Sequence, residues 1–80
     1  MKELRQKVYQ FTAIFELNEK KGYTVTVPAL PGLVTEGKSL DDARVMAEDA
    51  IRCYIEGLKK TKTAIPVENE VAQVKMRVAV

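Results

Sequence analysis

Carboxylates are the residues of this sequence that come closest to a catalytic pattern. A nuclease that uses two metal ions needs several carboxylates gathered around the ion pair. The candidates here are Glu16, then Glu48 or Asp49, and finally Glu70. Glu16 falls near the end of its predicted strand, and the last predicted strand contains no carboxylate. Because the trio does not form at suitable places, we predict no catalytic residue, no metal site and no enzymatic activity.

Histidine and cysteine offer little alternative chemistry. The chain has no His, so the commonest general base at neutral pH is missing, and so is a serine triad of the usual kind. A single Cys cannot form an internal disulfide or a cysteine zinc site. Cys53 lies in the middle of a predicted helix, and we expect a buried structural thiol there. We predict no cofactor.

The length and composition indicate a small globular protein. The 80 residues suit one domain over residues 1–80, whose thin core makes oligomerisation reasonable. Apolar residues make up 46% and charged residues 30%, and the net charge of +2 is too small to argue for nucleic acid. No apolar run approaches the roughly 18 residues of a membrane span, and residues 1–6 begin no signal peptide. We therefore expect a cytoplasmic protein.

Three short strands are predicted in the first half of the chain. In residues 7–17, Tyr9, Phe11 and other apolar side chains occupy the odd-numbered positions. This alternation is typical of a half-buried strand. Residues 23–27 form the second strand after a polar loop, and residues 33–37 form a third. Between the last two, Pro31-Gly32 suits a type II turn in which Gly supplies the positive φ. The three strands form an antiparallel meander.

A helix and a fourth strand are predicted in the second half. Ser39 is the N-cap, with Asp42 as the third helical residue in a weaker form of the capping box. The helix covers residues 40–58 and frays near Lys60. Its apolar stripe consists of Leu40, Ala43, Ala47, Ala50, Ile51, Tyr54 and Leu58. Residues 71–80 alternate again, so we predict a strand with Val74, Met76, Val78 and Val80 on one face.

The element order βββαβ predicts an α+β fold. After the meander the helix returns the chain, so the last strand runs parallel to the first through a right-handed crossover. Placing it beside the long first strand gives the sheet order 3-2-1-4, with the helix on one face.

The middle of the chain resembles a known family. Residues 22–32, GYTVTVPALPG, are similar to the GYxxxxPxLPG signature of HicB antitoxins of type II toxin–antitoxin systems. The resemblance covers roughly residues 9–67. It continues through Thr35-Glu36-Gly37, Ser39-Leu40-Asp41-Asp42-Ala43, Ala47, Ala50-Ile51, Tyr54 and Ile65-Pro66.

This resemblance implies a fold, a partner and a role. The family fold is a partial ribonuclease-H-like βββαβ unit. Its members bind and neutralise HicA, a small basic toxin that cleaves messenger RNA, and are commonly dimers or tetramers. Many also carry a C-terminal DNA-binding module. Only ten residues follow Glu70 here, so we expect no such module and no direct DNA binding.

Two surfaces are candidates for binding a partner. The helix carries Asp41, Asp42, Glu48, Asp49 and Glu56, which would complement a basic toxin, or would otherwise be a solvated helix face. The edge formed by Val74, Met76, Val78 and Val80 is expected to pair with another subunit or a partner by β-augmentation. The loop 28–32, PALPG, is either a recognition element or a rigid turn whose Pro and Gly have a backbone explanation.

The sequence thus predicts an antitoxin-like module that occludes a small HicA-type toxin. The alternative is an orphan HicB-like domain that assembles with itself and has no toxin. Either form is expected to be a homodimer or homotetramer.

Overall fold

Three antiparallel strands and one helix make up the regular structure of residues 7–80, the part of the chain that the computed structural model describes. This confirms the predicted α+β class and the order of the first four elements. The elements are β1 (Ile14–Leu17), β2 (Tyr23–Thr26), β3 (Val34–Gly37) and α1 (Leu40–Lys60).

The sheet has β2 in the centre, with β1 and β3 as its two edges. The register places Phe15 opposite Val25, and Val25 opposite Thr35. Val25 is fully buried and packs with Ala43 and Ala47 of α1, so this row faces the helix. Since alternate residues point to opposite faces, Glu16, Thr24 and Glu36 lie on the other side, which we call the open face.

The β1–β2 hairpin is closed by Asn18. Its side-chain Oδ1 accepts hydrogen bonds from the backbone N–H groups of Lys20 (3.1 Å) and Gly22 (3.0 Å). Its own N–H donates to the Gly22 carbonyl over 2.9 Å. The positive φ of this loop falls on Lys21, at 64°. A side-chain cap of this kind fixes a turn locally, as expected of Asn in loops.

The turn at Pro31-Gly32 forms as predicted. The Leu33 N–H donates to the Leu30 carbonyl over 3.1 Å, and Gly32 has a φ of +85°. Leu30 and Leu33 are both buried, where they pack with Val27 beneath the turn. The tyrosine hydroxyl of Tyr54 in α1 donates to the Pro31 carbonyl over 3.0 Å. These contacts support the interpretation of the PALPG loop as a rigid turn.

The helix begins at the predicted cap and ends two residues later than the predicted 58. The Ser39 Oγ accepts from the Asp42 N–H, as in a capping box, whereas the Asp42 carboxylate accepts from the N–H of Lys38, the residue before the N-cap, rather than from the Ser39 N–H. Ala43 and Ala47 are buried as the stripe predicts, whereas Leu40 is 49% exposed. Ile55, which the predicted stripe omits, is buried against the turn 27–33.

Cys53 is exposed, so the expectation of a buried thiol is wrong. The apolar stripe advances in steps of three and four residues, from Ala47 to Ala50 or Ile51 and then to Tyr54 and Leu58. Cys53 falls outside these steps, on the side of α1 that faces solvent.

The first strand is shorter than predicted. Residues 7–13 are not part of the sheet, because β2 pairs only as far as Thr26 opposite Ile14 and the chain then turns at Pro28. Tyr9 and Phe11 nevertheless pack against the core, which confirms the predicted parity. Leu17, on the same parity, lies at the end of the strand and is 70% exposed.

The predicted fourth strand does not form within this chain. Residues 71–80 have no regular structure and are exposed throughout, so the sheet order is β1-β2-β3 rather than 3-2-1-4. Alternation gives a segment one apolar face, but a strand also needs a backbone partner. Among the described residues, no helix is both long enough and apolar enough to span a membrane.

Candidate partner-binding surface

Five carboxylates project from the solvent side of α1, and we call them the acidic helix surface. At about 100° per residue they fall within an arc of about 120° around the helix axis. All five are exposed, as residues on the face opposite the buried alanines should be. They are the predicted partner-binding residues, namely Asp41, Asp42, Glu48, Asp49 and Glu56.

The negative charge is concentrated in the first half of α1. Over residues 40–50 four carboxylates face one cation, Arg44, which gives a local charge of −3. The last turn carries Lys59 and Lys60, so the complete helix has five carboxylates and four cations. This distribution also complements the helix dipole, because the carboxylates lie near its positive, N-terminal end and the lysines near its negative, C-terminal end.

Within residues 7–80, two of the five carboxylates have partners. The Asp42 Oδ2 accepts from the Lys38 N–H over 2.8 Å as part of the N-cap. Asp49 lies 3.7 Å from the Arg52 guanidinium, one turn further along the helix. Both groups are exposed, so the ion pair is weak and leaves Asp49 open to competition from another cation.

Glu48 and Glu56 flank a groove between α1 and the segment before β1. The groove has a volume of about 680 Å³ and combines an apolar floor with a charged rim. The rim also carries Lys7, Arg52 and Lys59. The floor is formed by Tyr9, Phe11, Ile51 and Ile55.

Tyr9 contacts both the aromatic floor and two lysines of the groove rim. Its ring stacks on Phe11 with the ring centroids 6.5 Å apart and the planes inclined by 10°. The Nζ atoms of Lys7 and Lys59 lie 5.5 and 5.7 Å from the centre of the Tyr9 ring, within the range of cation–π attraction. The groove therefore offers an aromatic surface between positive and negative rim charges.

Metal-ligating side chains do not cluster in the described part of the chain. Within residues 7–80, no group of three or more His, Cys, Asp or Glu side chains could hold a metal ion. Of the carboxylates considered above for a nuclease, Glu16 lies on β1, Glu48 and Asp49 lie on α1, and Glu70 follows the helix. Exposed charge around an apolar groove instead suits noncovalent binding of a polypeptide.

Sequence reasoning did not identify the groove. It found Glu48 and Glu56, but not Tyr9, Phe11 or Lys59 as candidate binding residues. The sequence contained a signal, because Tyr9 and Phe11 continue the inward-facing alternation of β1 towards the N-terminus, before its first residue, Ile14. Aromatic side chains that continue beyond the paired part of a strand remain half exposed and are available for contact.

The second predicted surface is separate from the first. Val74, Met76 and Val78 are 69%, 74% and 77% exposed, and they lie in the segment that follows α1. They do not line the groove between α1 and residues 7–11.

Comparison with known proteins identifies a family. The model of the family described as "HicB_like antitoxin of bacterial toxin-antitoxin system" matches residues 11–79 of this chain. The match includes β1, β2, β3, α1 and nearly all of the segment after the helix.

Curated relatives come from archaea and from a phage. The chain is 45% identical over 60 residues to "UPF0150 protein Ta0767" of Thermoplasma acidophilum, covering 75% of this chain and 87% of that protein. It is 35% identical over 66 residues to a "UPF0150 protein" of Archaeoglobus fulgidus, and the match covers 82% of this chain and 96% of that protein. An "uncharacterized 14.9 kDa protein in rep-hol intergenic region" of Haemophilus phage HP1 is 36% identical over 52 residues, or 65% and 39% of the two chains. No solved structure matches this chain.

Proposed function

The chain belongs to the HicB-like antitoxin family of bacterial toxin–antitoxin systems, and from this premise we propose that it binds and occludes a small, basic, RNA-cleaving toxin of the HicA type. The observation that carries the proposal is the acidic helix surface of α1 beside the groove lined by Tyr9 and Phe11. The proposed role is noncovalent and requires no chemistry from this chain.

Charge complementarity supports a basic partner. A protein that grips RNA presents cations to the phosphate backbone. The first half of α1 carries a local charge of −3 on exposed side chains, so it would attract such a surface and compete with RNA for it.

The groove supports a docked polypeptide rather than a purely electrostatic contact. Charged rims mainly steer association, whereas apolar and aromatic anchors in a desolvated centre supply most of the affinity. Tyr9, Ile51 and Ile55 would contact an apolar side chain of the toxin, and Glu48 and Glu56 would contact its cations. Occlusion would follow because the bound toxin surface is no longer open to RNA.

The proposal also places the complex in the cytoplasm. A toxin that cleaves messenger RNA acts where the messenger RNA is translated, and its antitoxin must meet it there.

The test uses the purified 80-residue chain and a small basic protein encoded beside its gene. Cleavage of a labelled messenger RNA by that protein is measured while this chain is titrated in. We expect cleavage to stop near one chain per toxin molecule. Cleavage that continues at a large molar excess of this chain would contradict the proposal, and so would the absence of such a neighbouring protein. The latter would favour the orphan self-assembling domain.

Charge-reversal variants test the surface itself. Glu48→Lys with Glu56→Lys should weaken toxin binding by about tenfold or more, because each reversal adds a repulsive contact at the groove. The matched control reverses Glu19 and Glu70, two exposed carboxylates outside α1. If both double variants lost the same toxin affinity, only the net charge of the chain would matter, and the acidic helix surface would be removed from the proposal.

A further inference from the structure

The aromatic side of the groove stands on a segment that the sheet does not hold. Tyr9 and Phe11, which we call the aromatic wall, line the groove together with α1. Pairing between β1 and β2 begins only at Ile14, and within residues 7–80 no backbone–backbone hydrogen bond involves residues 7–12. Backbone without such bonds opens and moves easily unless another contact fixes it. The position of the aromatic wall therefore depends on contacts from elsewhere in the chain.

The segment after α1 supplies these contacts. Residues 63–68, which we call the strap, share with the aromatic wall a second depression of about 450 Å³. The wall lines both this depression and the groove, so it lies between the strap and α1. Ile65 of the strap packs against the same core cluster as Tyr9 and Phe11.

The strap is anchored where it begins and is stiff in its middle. The Thr63 N–H donates to the Leu58 carbonyl of α1 over 2.9 Å. Pro66 fixes its own φ and restricts the preceding Ile65 to extended conformations. The strap therefore reaches the wall as a short segment with few alternative paths.

Glu68 joins the end of the strap to the segment that carries the wall. One carboxylate oxygen accepts from the Thr12 N–H, and the other accepts from the Thr12 hydroxyl over 2.9 Å. Hydrogen bonds to an ionised acceptor are stronger than bonds between neutral groups, and a pair of them also fixes orientation. Thr12 directly follows Phe11, so this contact acts next to the aromatic wall.

We propose that Glu68 is a positioning residue, which holds the aromatic wall in the conformation that binds the toxin. The identity of the partner rests on the proposed function, whereas the contact between Glu68 and Thr12 does not. The core and the sheet do not depend on this contact, since Thr12 is exposed and lies before β1. Without it the wall would move relative to α1, and the toxin would have to order the wall on binding, which lowers affinity.

The first test measures backbone order parameters by amide relaxation on the 80-residue chain alone. We expect residues 9–12 to be rigid, with values of about 0.85, and to fall below about 0.6 in Glu68→Ala. The values for β1 and β2 should stay high in both proteins, which verifies that the fold is retained. The matched control is Glu70→Ala, which removes the same charge at an exposed position and should leave residues 9–12 rigid.

Conservative variants separate the hydrogen bonds from the charge. The side chain of Glu68→Gln can accept from the Thr12 N–H and donate to the Thr12 hydroxyl oxygen, so residues 9–12 should remain nearly as rigid as in the wild type. Thr12→Val keeps the backbone donor and loses the hydroxyl, so its order parameters should fall between those of the wild type and Glu68→Ala. If Glu68→Gln loosened the wall as much as Glu68→Ala does, the two-bond contact would be wrong.

The second test is the affinity for the toxin, measured by titration of the same variants. A wall that is in the binding conformation in about one tenth of the molecules raises the apparent Kd about tenfold. We expect this increase for Glu68→Ala, and a change within about twofold for Glu70→Ala and Glu68→Gln.

Three results would overturn the proposal. The first is a Glu68→Ala variant in which residues 9–12 stay rigid. The second is an equal loosening of these residues in Glu70→Ala. The third is a loosened wall with unchanged affinity for the toxin. A wild-type chain that binds no toxin would instead contradict the proposed function, and the order parameters would still decide whether Glu68 positions the wall.

Discussion

The backbones of the sheet and the helix approach each other closely at Gly37. A Cβ atom at this position would lie 2.5 Å from the Cα atom of Ala43 and 2.8 Å from the Asp42 carbonyl carbon. Both neighbours are backbone atoms of the first turn of α1, so they cannot move aside as a flexible side chain can. Gly57, in the last turns of α1, has no atom within 4 Å of such a Cβ.

We expect Gly37→Ala and Gly57→Ala to have opposite effects on stability. Gly37→Ala forces β3 and α1 apart and should lower the free energy of unfolding by about 1–3 kcal/mol. Gly57→Ala introduces a better helix former into open space and should raise it by about 0.5–1 kcal/mol. Urea unfolding followed by circular dichroism measures both changes. If Gly37→Ala were neutral, the close contact between β3 and α1 would be wrong.

Asp42 has a structural role that Asp41 lacks. Asp42 accepts a hydrogen bond from the Lys38 N–H, whereas Asp41 is exposed in the first turn. Asp42→Ala should lower the free energy of unfolding by about 1 kcal/mol, because an N-terminal backbone donor loses its partner. Asp41→Ala should lower the free energy of unfolding by less than Asp42→Ala does, since it removes only the interaction with the helix dipole. Equal losses in urea unfolding would contradict this assignment.

The helix α1 packs against β2, β3 and the PALPG turn. Its first turn contacts β3, its middle covers β2, and Ile55 closes the cluster around the PALPG turn. Tyr54 also fixes that turn through its hydrogen bond to the Pro31 carbonyl. The side of α1 that is left free carries the acidic helix surface, so the same element sets the core and presents the charges.

Removing the hydroxyl of Tyr54 should loosen the PALPG turn without affecting the sheet. Tyr54→Phe keeps the apolar ring and loses one hydrogen bond, which should cost about 0.5–1.5 kcal/mol. Amide hydrogen exchange should become faster at Leu33, whose N–H donates within the turn, while exchange in β2 stays slow. The control is Tyr9→Phe, a tyrosine in the segment before β1. Unchanged exchange at Leu33 would show that the turn is rigid by itself.

At the scale of the whole molecule, net charge and local charge make different predictions. The chain carries +2 overall, which would repel a basic toxin, while the first half of α1 carries −3. Which of the two dominates depends on distance, because charges separated by more than a Debye length, about 10 Å at 0.1 M salt, are largely screened.

The rate of association with the toxin should therefore fall as salt is added. If the acidic helix surface steers the encounter, the association rate decreases between about 0.05 and 0.5 M salt, while the dissociation rate changes little. Stopped-flow fluorescence with the toxin measures both rates. An association rate that rises with salt would show that net repulsion governs the encounter and would contradict steering by α1.

Features fixed by neighbouring residues were predictable from the sequence. The Ser39 cap, the Pro31-Gly32 turn and the inward parity of Tyr9 and Phe11 were all predicted and are confirmed. The positions of the five candidate carboxylates on one side of α1 follow from helical periodicity. Whether they bind a partner stays a prediction. The exposure of Cys53 was predicted wrongly, although the spacing of the apolar stripe already excluded that position.

The sequence by itself determined the local structure and the class of fold, because caps, turns and amphipathic faces depend on hydrogen bonds and side chains a few residues apart. Only the tertiary structure decided which alternating segments become strands, since a strand needs a backbone partner distant in sequence. Residues 7–13 and 71–80 both alternate, yet the sheet provides neither with a partner within the chain. The groove was likewise decided in three dimensions, where Tyr9 and Phe11 meet Ile51 and Ile55 across about forty residues of chain.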